Sequence, residues 1–267
     1  MDRQRETNRL HNVSLSRDTE QLSEKAALVI HSILRSAVKK RSRASVILAG
    51  GNTPKRCYEI LADMIHRYYY SNGAEGKAIA EGTDWFFGDE RWVEAAHPMS
   101  NEGMARKALL SAINAPEDKI HSWHAGKGHP VERATEYDRV LAEYFDRDSL
   151  SPDIAIMGMG PDGHTLSLFP DANIVFSENP QGKVPVSRDV LNLDRNAVAI
   201  HKPEEDEWRL TMTPRIPNRA ETMIFLIHGS EKRSAFMRLK KNDDTLPASW
   251  LKGKETFYFI TESLLER

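Results

Sequence analysis

Cysteine is almost absent from this chain: Cys57 is the only one in 267 residues. An intrachain disulfide framework and a thiolate zinc centre are therefore excluded. Long apolar runs are missing too. None approaches the roughly 18 residues that a membrane-crossing helix needs. The first residues, Met1-Asp-Arg-Gln-Arg-Glu-Thr7, lack the apolar stretch of a signal peptide. No membrane partner is expected, and the cytosol is the default location. Nor is there an excess of charge of one sign. The 37 Lys and Arg against 39 Asp and Glu leave a formal charge of −2, whereas a nucleic-acid backbone calls for a concentrated basic surface. No nucleic-acid partner is expected either. The one basic cluster, Lys39-Lys40-Arg41-Ser42-Arg43, closes a predicted helix, where cations complement the dipole.

What is present is a charged fraction of 28% and a mean hydropathy of −0.55, a soluble globular composition long enough for one large α/β domain or two small ones. No repeat, low-complexity tract or linker divides the chain. Residues 17–267 are expected to form a single domain behind an irregular lead-in or edge segment over residues 1–16. Monomer and homodimer are both compatible with the sequence.

Apolar periodicity predicts alternating helices and strands. A long amphipathic helix starts at Thr19, and Ala44 to Ala49 reads as a buried strand. Pro54 opens a helix to about Tyr70, with Asn52 or Thr53 as its cap, and 71–77 reads as a surface loop. Trp85 to Phe87 is a strand from whose carboxyl end Asp89, Glu90 and Arg91 emerge. Helices follow Ser100 and Pro130, around a short strand at Ile120 to Trp123. Further strands are predicted at Ile154 to Met157, Lys183 to Val186, Ala197 to Ile200, Arg209 to Thr213, Thr222 to Ile227 and Glu255 to Ile260. With short connections throughout, this alternation implies an α/β fold: an open, mostly parallel sheet with helices on both faces.

Two glycine-rich strand exits attract attention as chemistry. Gly50-Gly51-Asn52-Thr53 leads a strand into a helix amino terminus, where free N–H groups and the dipole favour an anion. In the second, Gly158-Met-Gly-Pro-Asp-Gly-His164 follows a buried strand. Gly158, Gly160 and Gly163 fit a dinucleotide fingerprint, but the acidic residue near the required distance, Glu178, sits in a turn rather than closing a strand. A phosphate-loop reading fails because His164 stands where a lysine is needed. There remain Asp162 and His164 as functional side chains at a strand's carboxyl end, or a glycine turn with a structural histidine. His121, His124 and His129 lack a partnered carboxylate at helical spacing and read as exposed loop residues, not metal ligands.

Four stretches in order resemble those of the 6-phosphogluconolactonases: Leu48-Ala-Gly-Gly-Asn-Thr-Pro54, Trp85-Phe-Phe-Gly-Asp-Glu-Arg-Trp-Val93, Gly158-Met-Gly-Pro-Asp-Gly-His-Thr-Leu-Ser-Leu-Phe-Pro170 and Gly229-Ser-Glu-Lys232. Leu246-Pro-Ala-Ser-Trp250 resembles a late segment of that family. The resemblance implies hydrolysis of 6-phospho-D-glucono-1,5-lactone in the oxidative pentose phosphate pathway, without metal or organic cofactor, on the open Rossmann-like sheet shared with glucosamine-6-phosphate deaminases. It also implies His164 as the catalytic histidine and Arg91 lining the substrate site; lactone chemistry adds the expectation that His164 acts as general base on water while Asp162 orients its ring or the neighbouring loop. Gly50, Gly51, Asn52, Thr53 and Lys232 would hold the phosphate, joined by Arg209. Two alternatives are a glucosamine-6-phosphate deaminase/isomerase and a non-enzymatic sugar-phosphate sensor. The deaminases resembled carry a glutamate five residues after the histidine, where Phe169 stands here.

Overall fold

The computed structural model describes residues 12–72, 75–146, 149–177 and 182–266. Glu178 and residues 1–11 of the expected lead-in lie outside them. Along the chain run β1 (Val13–Ser16), α1 (Thr19–Arg41), β2 (Ala44–Leu48), α2 (Asn52–Asn72), α3 (Glu75–Gly82), β3 (Thr83–Phe87), β4 (Asp89–Arg91), α4 (Asn101–Ala105), β5 (Ile120–His121) and α5 (Pro130–Leu141). They are followed by β6 (Ile154–Met157), β7 (Asn173–Val175), β8 (Lys183–Pro185), β9 (Ala197–Lys202), β10 (Glu207–Met212), β11 (Thr222–Ile227), α6 (Arg233–Lys240) and β12 (Glu255–Thr261).

Seven strands form a parallel sheet in the order β1-β12-β11-β6-β2-β3-β5. Strands β2, β3, β6 and β11 are buried at every position, as expected of parallel strands covered on both faces. Helix α1 shows how local signals place a covering layer. Asp18 caps it by accepting from Gln21 N at 2.8 Å. Leu22, Ala26, Ile30, Leu34 and Ala37 then form its buried stripe, and Arg41 in its last turn pairs with Asp153. The strand order fixes where a ligand can enter. From β2 the chain steps outward to β3 and β5, and from β6 it steps the other way to β11 and β12. The loops after β2 and β6 therefore diverge, leaving a crevice at the carboxyl edge of the sheet.

A second sheet, antiparallel and ordered β4-β10-β9-β7-β8, corrects the expectation that all strands join one sheet. The predicted strands near 183–186, 197–200 and 209–213 exist, but they pair with one another and with Asp89–Arg91. Only residues 203–206 separate β9 from β10, a hairpin connection too short for a parallel crossover. Residues 71–77 are also not simply a loop: α2 reaches Asn72 and α3 starts at Glu75.

Candidate active site

The first wall of the crevice comes from the β2 exit. Gly51 has φ 104°, a conformation open to glycine at little cost, and its carbonyl accepts from Lys55 N at 3.1 Å. The helix thus begins at Asn52, so Asn52 and Thr53 lie in its first turn instead of capping it. Pro54 fits there because first-turn N–H groups have no intrahelical acceptor in any case. A Cβ on Gly50 would lie 1.8 Å from Asn101 Oδ1; the absence of a side chain lets Asn101 pack against the loop.

The β6 exit supplies the imidazole. Gly160 N donates to His164 O at 2.8 Å and Gly163 N to Gly160 O at 3.1 Å, closing a tight loop in which Gly163 has φ 87°. Asp162 Oδ1 accepts from His164 N at 3.1 Å and lies 2.5 Å from His164 Nδ1. Burial raises the Asp162 pKa, but the hydrogen bond and charge of His164 outweigh it and hold the carboxyl below its ordinary value. A carboxylate on Nδ1 keeps the proton there and leaves the lone pair on Nε2, which has no hydrogen-bond partner among the described residues. The ring packs against Phe169 at 4.3 Å between centroids. A Cβ on Gly160 would fall 2.2 Å from ring atoms Cε1 and Nδ1, so that glycine gives the imidazole its seat.

The second sheet provides the opposite wall. Arg91 on β4 stands directly across from Arg209 on β10, and each guanidinium is anchored. Arg91 Nη1 donates to Met99 O at 2.5 Å. Arg209 pairs with Glu207 Oε2 at 2.6 Å and donates to Trp208 O at 3.1 Å. Strand alternation turns Glu90 away from these arginines. Its buried carboxylate accepts from Arg91 N, Asn101 N, Glu102 N and Ser100 Oγ. Burial pushes it up to about 7 while those donors pull the other way. Lys232 follows β11 through Gly229. Burial lowers its pKa, and no carboxylate pairs with it among the described residues.

One cavity of about 380 Å³ is lined by Gly50, Gly51, Asn52, Thr53, Arg91, His164, Arg209 and Lys232, which includes every site residue read from the sequence except Asp162. Asp162 holds the ring without lining the cavity. Sequence reasoning left Asp89 open and missed Asn101, Ser167 and Lys202, which also line the cavity. Lys202 ends β9, with Nζ 2.6 Å from both Glu205 carboxylate oxygens and 4.7 Å from the Phe169 ring centroid. The three histidines read as loop residues divide. His121 bonds Asp84 at 3.0 Å and stacks on Phe86, and His129 caps α5, so both are half-buried structural groups; His124 is exposed. Among the described residues no cluster of three or more His, Cys, Asp or Glu could hold a metal ion.

The family model described as glucosamine-6-phosphate isomerases/6-phosphogluconolactonase matches residues 17–259. This chain belongs to that family. Its relatives include the 6-phosphogluconolactonase of Thermotoga maritima, 30% identical over 86% of this chain and 90% of the relative. That of Synechocystis is 30% identical over 80% and 78%. Among solved structures, 6-phosphogluconolactonase from Trypanosoma cruzi superimposes with TM-score 0.75 at 25% identity, covering 97% of both chains. A monomeric glucosamine-6-phosphate deaminase reaches TM-score 0.70 at 18% identity over 96% of this chain and 99% of its own, a likeness of fold. Both branches of the family share the sheet, so the distinction between them rests on side chains in the crevice.

Proposed function

We propose that this chain hydrolyses 6-phospho-D-glucono-1,5-lactone to 6-phosphogluconate, acting in the cytosol in the oxidative pentose phosphate pathway. One observation carries the reading: an imidazole held through Nδ1 by Asp162 at 2.5 Å lies on a cavity that also contains a glycine-opened helix start and a lysine with no carboxylate partner among the described residues. The helix start and Lys232 suit a phosphate dianion, with Arg209 in support. His164 Nε2 takes a proton from water, and the resulting hydroxide bonds to the lactone carbonyl carbon. Arg91 faces the negative charge that develops on the carbonyl oxygen. Collapse of the tetrahedral intermediate breaks the bond from C1 to the ring oxygen, which receives the proton from the imidazolium. The acid so released ionises.

Deamination of an amino sugar fits less well. Phe169 fills the position where the deaminases resembled carry a glutamate, and it packs against the imidazole. A sensor would bind the same phosphate without turnover. The test is lactone hydrolysis by the purified chain, coupled to a 6-phosphogluconate dehydrogenase and corrected for spontaneous ring opening. A rate equal to the spontaneous one refutes the proposal.

A further inference from the structure

We infer that Asp89 is the residue that recognises the sugar, its carboxylate accepting hydrogen bonds from ring hydroxyls of the substrate. This rests on the lactonase reading and deepens it. Asp89 lies on the same face of β4 as Arg91, two residues apart, and lines the cavity. Its nearest hydrogen-bond partners are neutral: Asn101 Nδ2 donates to Oδ1 at 3.1 Å and Ser167 Oγ to Oδ2 at 2.6 Å. No cation pairs with it among the described residues. The neighbouring Arg91 is committed to the Met99 carbonyl, and Arg209 and Lys202 to Glu207 and Glu205. An ionised carboxylate has about four acceptor positions, so two bonds fix its orientation and leave others open to the cavity. A carboxylate repels a phosphate and carries no proton to donate to a carbonyl oxygen. The part of a phosphorylated lactone that it matches is the row of hydroxyl donors between them. Among the residues lining this cavity, Asp89 is the acidic counterpart to Arg91, Lys202, Arg209 and Lys232.

The experiment compares wild type with Asp89→Asn on the parent lactone and on its monodeoxy analogues, with inorganic phosphate as competitive inhibitor. Asn101 can turn its amide over to meet the new side chain, so the substitution leaves the wall intact. A charge-assisted hydrogen bond predicts a rise in KM on the order of tenfold to a hundredfold. Inhibition by inorganic phosphate should change less than about threefold or improve, because the removed charge repels it. The variant should also stop discriminating the parent from the analogue lacking the contacted hydroxyl. An unchanged KM, or phosphate inhibition weakened as much as lactone binding, overturns the inference. Should the variant fail to fold, the wild-type analogue series decides: if no monodeoxy lactone is used at least about tenfold less well, no charged acceptor reads the hydroxyls. Wild type inert on every lactone would instead sink the functional reading itself.

Discussion

Gly160→Ala isolates the placement of the imidazole from every other feature of the site. Gly160 does not have positive φ, so alanine meets no backbone obstacle. The added methyl would lie 2.2 Å from His164 Cε1 and Nδ1 and 2.6 Å from Asp162 Oδ1. Ordinary carbon contacts begin near ~3.5 Å, so the ring and its carboxylate must retreat together by about 1 Å. A displacement of that size from attack geometry costs on the order of 10²-fold in rate. The phosphate loop and Lys232 lie on other elements, so KM should change little. The assay is kcat and KM for the lactone, with thermal unfolding as a check on the fold. His164→Ala alone should remove the general-base contribution, about 10²–10⁴-fold. Adding Gly160→Ala to His164→Ala should then cost almost nothing more, because the two act through one ring. A single Gly160→Ala variant with kcat within about threefold of wild type, or a double variant whose losses simply multiply, would refute this account of the ring's seat.

Lys232→Ala should raise KM by about 10–100-fold with kcat nearly unchanged, since a phosphate contact is made equally in ground and transition states; steady-state kinetics check it, and a fall confined to kcat counts against anchoring. Asp162→Asn should lower kcat by about 10–100-fold, less than the ~10⁴-fold of a fully buried triad aspartate, because Asp162 is half-exposed; unchanged kcat would mean the imidazole needs no orienting carboxylate. Glu90 is held by burial at about 7, above its ordinary 4.5, so the folded form binds more protons than the unfolded between those values. Its linked stability is complete below the ordinary range and is lost as pH rises through about 7. Urea unfolding of wild type against Glu90→Gln across that window should show their difference change with pH, and a flat difference refutes the assignment.

The parallel sheet was legible wherever a strand is a continuous apolar run closed by glycine, as at β2, β3 and β6. It was legible for β11 as well, whose run ends at His228-Gly229. Strand β1 was foreseeable only as an edge segment, because Val13-Ser-Leu-Ser16 gains its partners from β12 at the far end of the chain. The second sheet escaped for a different reason. Asp89-Glu-Arg91 has no apolar signal, and β7 is only the three residues Asn173-Ile-Val175. Such segments become strands by pairing, and pairing is a tertiary fact. Helix α3 escaped because glycines at Gly76 and Gly82 argue against a helix; its buried Ile79 and Ala80 override them.

The same division runs through the site. Gly51, Gly160 and Gly163 were readable because their conformations or contacts demand glycine, and His164 because it follows them. Which of Asp89 and Glu90 faces the crevice was not readable while that segment passed for a loop; the pleat of a three-residue strand decides it. Nor could sequence show that Arg91 stands across from Arg209, since register is set only when strands meet. This has a mechanistic consequence. The imidazole rides on the parallel sheet, whereas the arginines ride on the antiparallel one, so their separation depends on how the sheets are joined. Among the described residues the joins include Gly88, the single residue between β3 and β4, and the bonds from Met212 N to Gly88 O at 2.8 Å, Ser167 N to Thr211 Oγ1 at 3.2 Å and Ser167 Oγ to Asp89 Oδ2 at 2.6 Å. Ser167 lies three residues beyond His164 and contributes two of these bonds. The loop that presents the imidazole is therefore the same one that ties down the cationic wall, and on the proposed mechanism its geometry would set both sides of the reacting carbonyl at once.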